Sequence, residues 1–320
     1  VIIAGAANVV VGLTKLAAGI ISGSSSMLAE AAHSAADTLN QAFLLTSVRR
    51  GERPADADHP FGYGQERYFW SLMAAFGIFV AGGGFSIFEG ILALTRSGEK
   101  ESALAAYIAL AVSFVAEGIS FIRAYRQMRG EARASNKQML DHVQASTDTT
   151  VKAALFEDSA AVVGLVFAAA GVTLRQLTGS AVWDGAGSIA IGVLLIVVAV
   201  KLGMDSRELL IGRAADPEQL KLIRKEIEST PGVDDLLELR TMHIGPDALI
   251  VAARVALSDQ ISADQAENLA DDIDHRLSDT LPVTPHVFVD PTQTPSRGAE
   301  PDDAAPGGPR QAASSGRTGT

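Results

Sequence analysis

The chain has 320 residues, no cysteine, 48% hydrophobic residues and a mean hydropathy of +0.21, too apolar for an ordinary soluble domain. Without cysteine, disulfide scaffolds, thiolate zinc sites, iron–sulfur clusters and cysteine nucleophiles are excluded, so any metal chemistry rests on His, Asp and Glu. The formal charge of −11 is uneven: residues 1–215 hold 17 basic and 18 acidic side chains, residues 216–320 hold 9 and 19. That acidity argues against a nucleic-acid partner, because phosphate binding needs clustered Lys and Arg.

Before residue 212, six segments of about 20 mostly apolar residues are each long enough to cross a bilayer as helix. They fall near 1–21, 25–48, 69–95, 102–124, 152–174 and 182–204. Because the sequence begins at Val1 inside an apolar run, a truncated or processed N-terminus without a recognisable signal peptide is expected. Gly, Ala and Ser are abundant in all six segments, as at Gly82, Gly83 and Gly84, which suits helices packing closely in lipid. Loop charge agrees, since basic residues are retained on the cytoplasmic side. Arg49, Arg50, Arg53, Arg67, Arg123, Arg126, Arg129, Arg133, Lys137 and Lys152 lie on one side, and Arg96, Lys100 and Arg175 on the other. This bias places both termini in the cytoplasm.

After Gly212 the pattern becomes that of a small α+β domain. A helix is expected over Pro217–Ser229 behind the N-cap Asp216, strands over Val233–Met242 and Ala248–Leu257, a helix over Ala263–Leu277 behind Ser262, and a strand over His286–Val289. From Thr292 onward Pro, Gly, Ser and Ala dominate without periodicity, so a disordered tail is expected over 292–320. The expected domains are therefore 1–211, 212–291 and this tail.

Ionisable residues inside a span are costly and mark function by default. In the second span Glu30, His33 and Asp37 share one helical face. His33 and Asp37 can both reach one cation, and imidazole with carboxylate suits zinc or a similar divalent ion; alternatively the face only hydrogen-bonds to a neighbouring helix. The fifth span offers Glu157 and Asp158, which point about 100° apart, so one can face the second span while the other faces a different neighbour. Glu89, Glu117 and Asp184 read as interhelical hydrogen-bond partners or interfacial residues. The loop after span two carries Asp56, Asp58 and His59 before Pro-Phe-Gly-Tyr-Gly. Two readings stand for it: a weak second metal site on Asp56 and His59, or a solvated turn shaped by Pro60, Gly62 and Gly64. No His-Glu-x-x-His helix or nucleophile–base set is present, so the chain does not read as an enzyme.

Together these residues resemble the cation diffusion facilitator family of divalent-metal transporters. The resemblance rests on Ser-Gly-Ser-Ser-Ser-Met-Leu-Ala-Glu-Ala-Ala-His-Ser-Ala-Ala-Asp at 22–37, on His59-Pro60-Phe61-Gly62-Tyr63-Gly64, on Asp158 and on Trp183-Asp184. Leu-Phe-Glu-Asp-Ser-Ala-Ala at 155–161 and Glu117-Gly118-Ile119-Ser120-Phe121 are similar to its zinc-transporter-nine-like branch. The resemblance implies an α-helical membrane protein of six transmembrane helices followed by a cytoplasmic α+β ferredoxin-like (αββαβ) domain. It also implies a homodimer in a lipid bilayer that exchanges a cytoplasmic divalent cation, Zn2+ first, for protons as counter-ion by alternating access.

Carried over by position, the metal site comprises His33, Asp37 and Asp158. The family's fourth ligand falls on Ala154, so water or Glu157 after a helix rotation has to complete the set. In the loop, the family's Asp and two His fall on Asp56, His59 and Tyr63, losing one ligand. In the cytoplasmic domain, its His-rich cluster falls on Ala253, Ala266, Phe288 and Asp290. The missing ligands leave Mn2+, Fe2+ or Co2+ as alternative cargo, and a non-transporting partner subunit of an active relative as an alternative role. Ala- and Arg-rich loops suggest a bacterial inner membrane, with a mitochondrial membrane the other choice.

Overall fold

The computed structural model describes residues 2–95, 103–134, 138–139, 143, 149–257 and 262–293. Arg96, Lys100 and Lys137 of the loop tally, and the expected tail 292–320 beyond Gln293, lie outside the described residues; Thr292 and Gln293, expected in that tail, belong instead to the last strand, paired with its neighbour. The membrane part contains α1 (Ile2–Ser22), α2 (Ser25–Gly51), α3 (Glu66–Gly77), a π-helical segment (Ile78–Gly84), α4 (Phe85–Thr95), α5 (Ala103–Ala134), α6 (Thr149–Thr178) and α7 (Val182–Ile211). Among the described residues four stretches are long and apolar enough to cross a membrane: Glu66–Thr95, Leu104–Arg133, Lys152–Thr178 and Val182–Ile211. Val9–Ser22 is a shorter apolar stretch.

The 27-residue α2 is long enough but too polar to match those four, and its position explains why. It packs against α1, α3, the π segment, α4, α6 and α7, burying Glu30, His33, Asp37 and Asn40 together with its alanines and serines. The outer helices carry the apolar surface instead, with Leu13, Phe88, Leu104, Ile108, Val115 and Val197 all exposed. Apolar outside and polar at the central helix is the arrangement a bilayer solvent selects.

Helix α4 and the π segment meet α7 through glycines. A Cβ at Gly83 would lie 3.1 Å from the Gly192 carbonyl oxygen, and one at Gly90 would lie 2.8 Å from that of Gly185. Only side chains this small admit backbones so close.

Gly212 ends α7 at φ +115, a left-handed cap that favours glycine. The chain is then held on the next domain, where His243 N–H donates to Arg213 O at 2.9 Å and Ala215 N–H to Thr241 Oγ1 at 3.0 Å. That domain runs α8 (Pro217–Glu228), β1 (Val233–Gly245), β2 (Ala248–Leu257), α9 (Ala263–Thr280), β3 (Thr284–Gln293). Both helices start at capping boxes, Asp216 with Gln219 and Ser262 with Gln265. The sheet order is β1-β2-β3, with β2 antiparallel to β1 and parallel to β3. Alternate residues Leu249, Val251, Ala253 and Val255 of the central strand are buried with Ile223 and Ile227 of α8 and Leu269, Ile273 and Leu277 of α9. The elements expected here are all present. The last strand is longer than expected because it pairs with β2 along its whole length.

Candidate metal site

The site is built on α2. His33 and Asp37 are one turn apart on its buried face, with 3.5 Å between His33 Nδ1 and Asp37 Oδ1. Among the described residues, both imidazole nitrogens and Asp37 Oδ1 are buried without a hydrogen-bond partner. Buried polar atoms are normally satisfied, so these three ligand-capable atoms on one turn are a candidate donor set for a cation.

The adjacent carboxylates of α6 diverge, as their 100° separation requires. Glu157 faces α2, where Asn40 Nδ2 donates to its Oε2 at 2.5 Å. Asp158 is half-buried and turns to α5, where it accepts from Ser120 Oγ at 2.9 Å. Among the described residues no three His, Asp or Glu groups converge closely enough to hold a metal. The structure thus brings His33 and Asp37 together, sets Glu157 one helical turn below them through Asn40, and holds Asp158 on a neighbouring partner. Glu157, Glu117 and Asp158 nevertheless act electrostatically on Asp37, against the single ammonium of Lys15. The negative field favours a cation.

Asn40 and Ser120 were missed from sequence. Asn40 continues the face at i+3 from Asp37, the spacing that already joined Glu30 to His33. Ser120 stands in the Glu117–Phe121 run quoted for the resemblance, but nothing in that run points to a carboxylate partner.

Asp184 is a structural acceptor. Its carboxylate receives Ser24 Oγ at 2.7 Å, Ser25 N–H at 2.5 Å and Ser26 N–H at 3.2 Å, with Arg175 Nη1 at 3.4 Å. A carboxylate on the first turn of α2 satisfies orphan amides and opposes the positive helix end, and Ser24 at the N-cap adds its hydroxyl to the same carboxylate.

In the loop, the Asp56 carboxylate is already engaged. Tyr63 Oη donates to Oδ2 at 2.7 Å, and the amides of Asp58 and His59 donate to Oδ1 at 3.1 and 2.8 Å. The Tyr63 hydroxyl, then the backbone amides, hold Asp56 below the usual carboxylate range, and the same bond raises the Tyr63 phenol. His59 stacks on Tyr63 with ring centroids 4.2 Å apart and its Nδ1 3.5 Å from Asp56. The residues expected as a weak second site are together, in a hydrogen-bonded turn. The turn also docks on the β-domain: Phe61 meets His286 edge-on at 5.7 Å, and Gly64 lies so close to Ile244 O that a Cβ would clash at 2.6 Å. In that domain Asp290 accepts from Arg254 Nε at 2.8 Å, and Ala253 is buried in the core.

A helical membrane part with ligand-capable side chains on its central helix is thus joined to a small α+β domain. The family pattern described as cation efflux transmembrane domain matches residues 1–211, and that of the cation efflux protein cytoplasmic domain matches 215–291. The chain belongs to the cation efflux family, with a helical transmembrane domain and a C-terminal cytoplasmic domain.

Over 241 residues it is 38% identical to the mitochondrial proton-coupled zinc antiporter SLC30A9 of Xenopus laevis, covering 75% of this chain and 43% of that protein. Over 231 residues it is 36% identical to the human protein of the same name, covering 72% and 41%. Over 235 residues it is 35% identical to metal tolerance protein C4 of Arabidopsis thaliana, covering 73% and 51%. The chain spans about half the length, or less, of these relatives. They overturn the bacterial inner membrane suggested by loop composition: Ala- and Arg-rich loops report sidedness, which is shared by bacterial and organellar membranes, and do not separate the two.

Proposed function

We propose that the chain is a proton-coupled efflux transporter of divalent cations with zinc as its principal cargo, in a eukaryotic organellar membrane. It spans the bilayer six times, with α2 and α1 joining the four long apolar stretches and both termini in the cytoplasm. It works as a homodimer through its ferredoxin-like domain, over domains 1–211 and 212–291. The observation that carries this reading is the buried His33–Asp37 pair with three uncommitted ligand atoms on the central membrane helix.

Metal arriving from the cytoplasm is bound by His33 and Asp37, and draws Asp158 away from Ser120 or engages Glu157 where the family's fourth ligand is Ala154. Binding requires a neutral imidazole and ionised carboxylates, so it releases protons. Reprotonation from the opposite side weakens the site and releases the metal. Imidazole beside carboxylate favours zinc, and the SLC30A9 relatives, 36–38% identical, are named for zinc, whereas a Bacillus subtilis relative at 23% identity is named for manganese.

The position of Ala154 favours one second reading, looser selection that admits manganese, cobalt or iron. Flux of each cation into proteoliposomes under an imposed pH gradient tests both. Zinc moving fastest supports the main reading, a faster manganese flux supports the second, and no flux from a folded dimer supports a non-transporting partner subunit.

A further inference from the structure

A second buried charge cluster lies outside the metal pair. Lys15 Nζ on α1 stands 3.0 Å from Glu30 Oε2 on α2 and 3.3 Å from Glu117 Oε1 on α5. Lys15 and Glu30 are fully buried and Glu117 is 7% exposed. Glu30 Oε1 has no hydrogen-bond partner among the described residues. It faces Gly164 of α6 so closely that a Cβ there would lie 2.5 Å from it. The cluster therefore sits where α1, α2, α5 and α6 meet.

An interhelical tether needs one ammonium and one carboxylate. This cluster has a surplus carboxylate, and with all three groups ionised it carries one uncompensated negative charge in a dry site, which is costly. Adding one proton removes that charge without moving any helix.

The location also fits a coupling role. Glu30 precedes His33 by three residues, about 4.5 Å along the helix axis, on the side away from the basic loop. The charged and titratable groups facing the cluster are His33 and Asp37 on its own helix α2 and Asp158 on α6, besides its members on α1, α2 and α5. A divalent charge arriving at His33 and Asp37 disfavours an extra proton on the cluster, and its departure restores the need for one.

We propose that Lys15, Glu30 and Glu117 form a proton-binding station separate from the metal pair, gaining one proton when the metal leaves and releasing it when the metal binds. The inference rests on the proton-coupled transport reading above. Its test uses the full chain in proteoliposomes, recording zinc with one dye and pH with another to count protons moved per zinc. Glu117→Gln imitates the protonated station, because the amide is neutral and of the same shape. It is therefore expected to melt no lower than the wild type, to keep moving zinc, and to move one proton fewer per zinc. An unchanged ratio with zinc flux intact, or a variant that fails to fold, overturns the station. A wild type that moves no metal overturns the transport reading instead. Proton release on zinc binding, followed in detergent, reads the same loss of one proton in Glu117→Gln; equal release from the two proteins also overturns the station.

Discussion

Asp184→Ala is the perturbation whose cost can be worked most fully from the structure. The carboxylate is buried and satisfies Ser24 Oγ and the amides of Ser25 and Ser26, with Arg175 beside it. Removing it strands three donors at the start of the helix that carries the metal pair. A buried donor left unsatisfied costs about 1–3 kcal/mol, and breaking a buried charge pair costs about 3–5 kcal/mol, so the variant loses roughly 3–5 kcal/mol once local relaxation is allowed. At about 2–4 °C per kcal/mol for a chain of this size, melting falls by about 6–20 °C. The assay is thermal unfolding of the purified protein in detergent, followed by loss of monodispersity and by tryptophan fluorescence. Asp184→Asn, which keeps one acceptor oxygen, should fall between the two. An Asp184→Ala protein melting within about 2 °C of the wild type would refute the role assigned to this cap.

Other consequences are equally direct. Gly192→Leu drives a side chain into Gly83 O and Ile87; overpacking of this kind costs about 1–3 kcal/mol and should depress both melting temperature and flux, whereas Gly118→Ala, which meets nothing within 4 Å, should not. Tyr63→His both frees the Asp56 carboxylate and restores a second imidazole to the loop, so calorimetry should detect an additional zinc equivalent in that variant and none in Tyr63→Phe. His243 is buried, and burial followed by the nearby Arg213 charge lowers its pKa from the ordinary 6.5. Its neutral form is then favoured by the fold, so its contribution to stability is complete above about pH 6.5 and is lost as pH falls from there toward the depressed value. Chemical denaturation of the protein at pH 7.5 and pH 5 should show the cytoplasmic domain weakening at the lower pH, with a smaller difference in His243→Gln.

Much of this arrangement was legible before any coordinates. The apolar runs, the basic loops and the i, i+3, i+7 spacing of Glu30, His33 and Asp37 follow from helix geometry and the cost of charge in lipid. The strand and helix signals of the cytoplasmic domain were strong because both helices begin at capping boxes. What remained hidden depends on which helices touch. Glu157 and Asp158 were known to diverge, but only the packing of α6 shows that Glu157 turns to Asn40 and Asp158 to Ser120. Lys15 lies 15 residues from Glu30 and 102 from Glu117, so no local spacing joins them. A lone lysine inside an apolar helix was nevertheless a visible signal of a buried partner. The π segment over Ile78–Gly84 likewise has no periodic signature beyond its run of glycines.

The most direct test of the account is zinc flux driven by a pH gradient in proteoliposomes containing the wild type, Asp37→Ala or Asp158→Ala. The account predicts gradient-driven flux in the wild type and its loss in both variants, with each variant still melting as a folded protein. Undiminished exchange in Asp37→Ala would contradict it, because the buried pair on α2 would then not be where the metal is held.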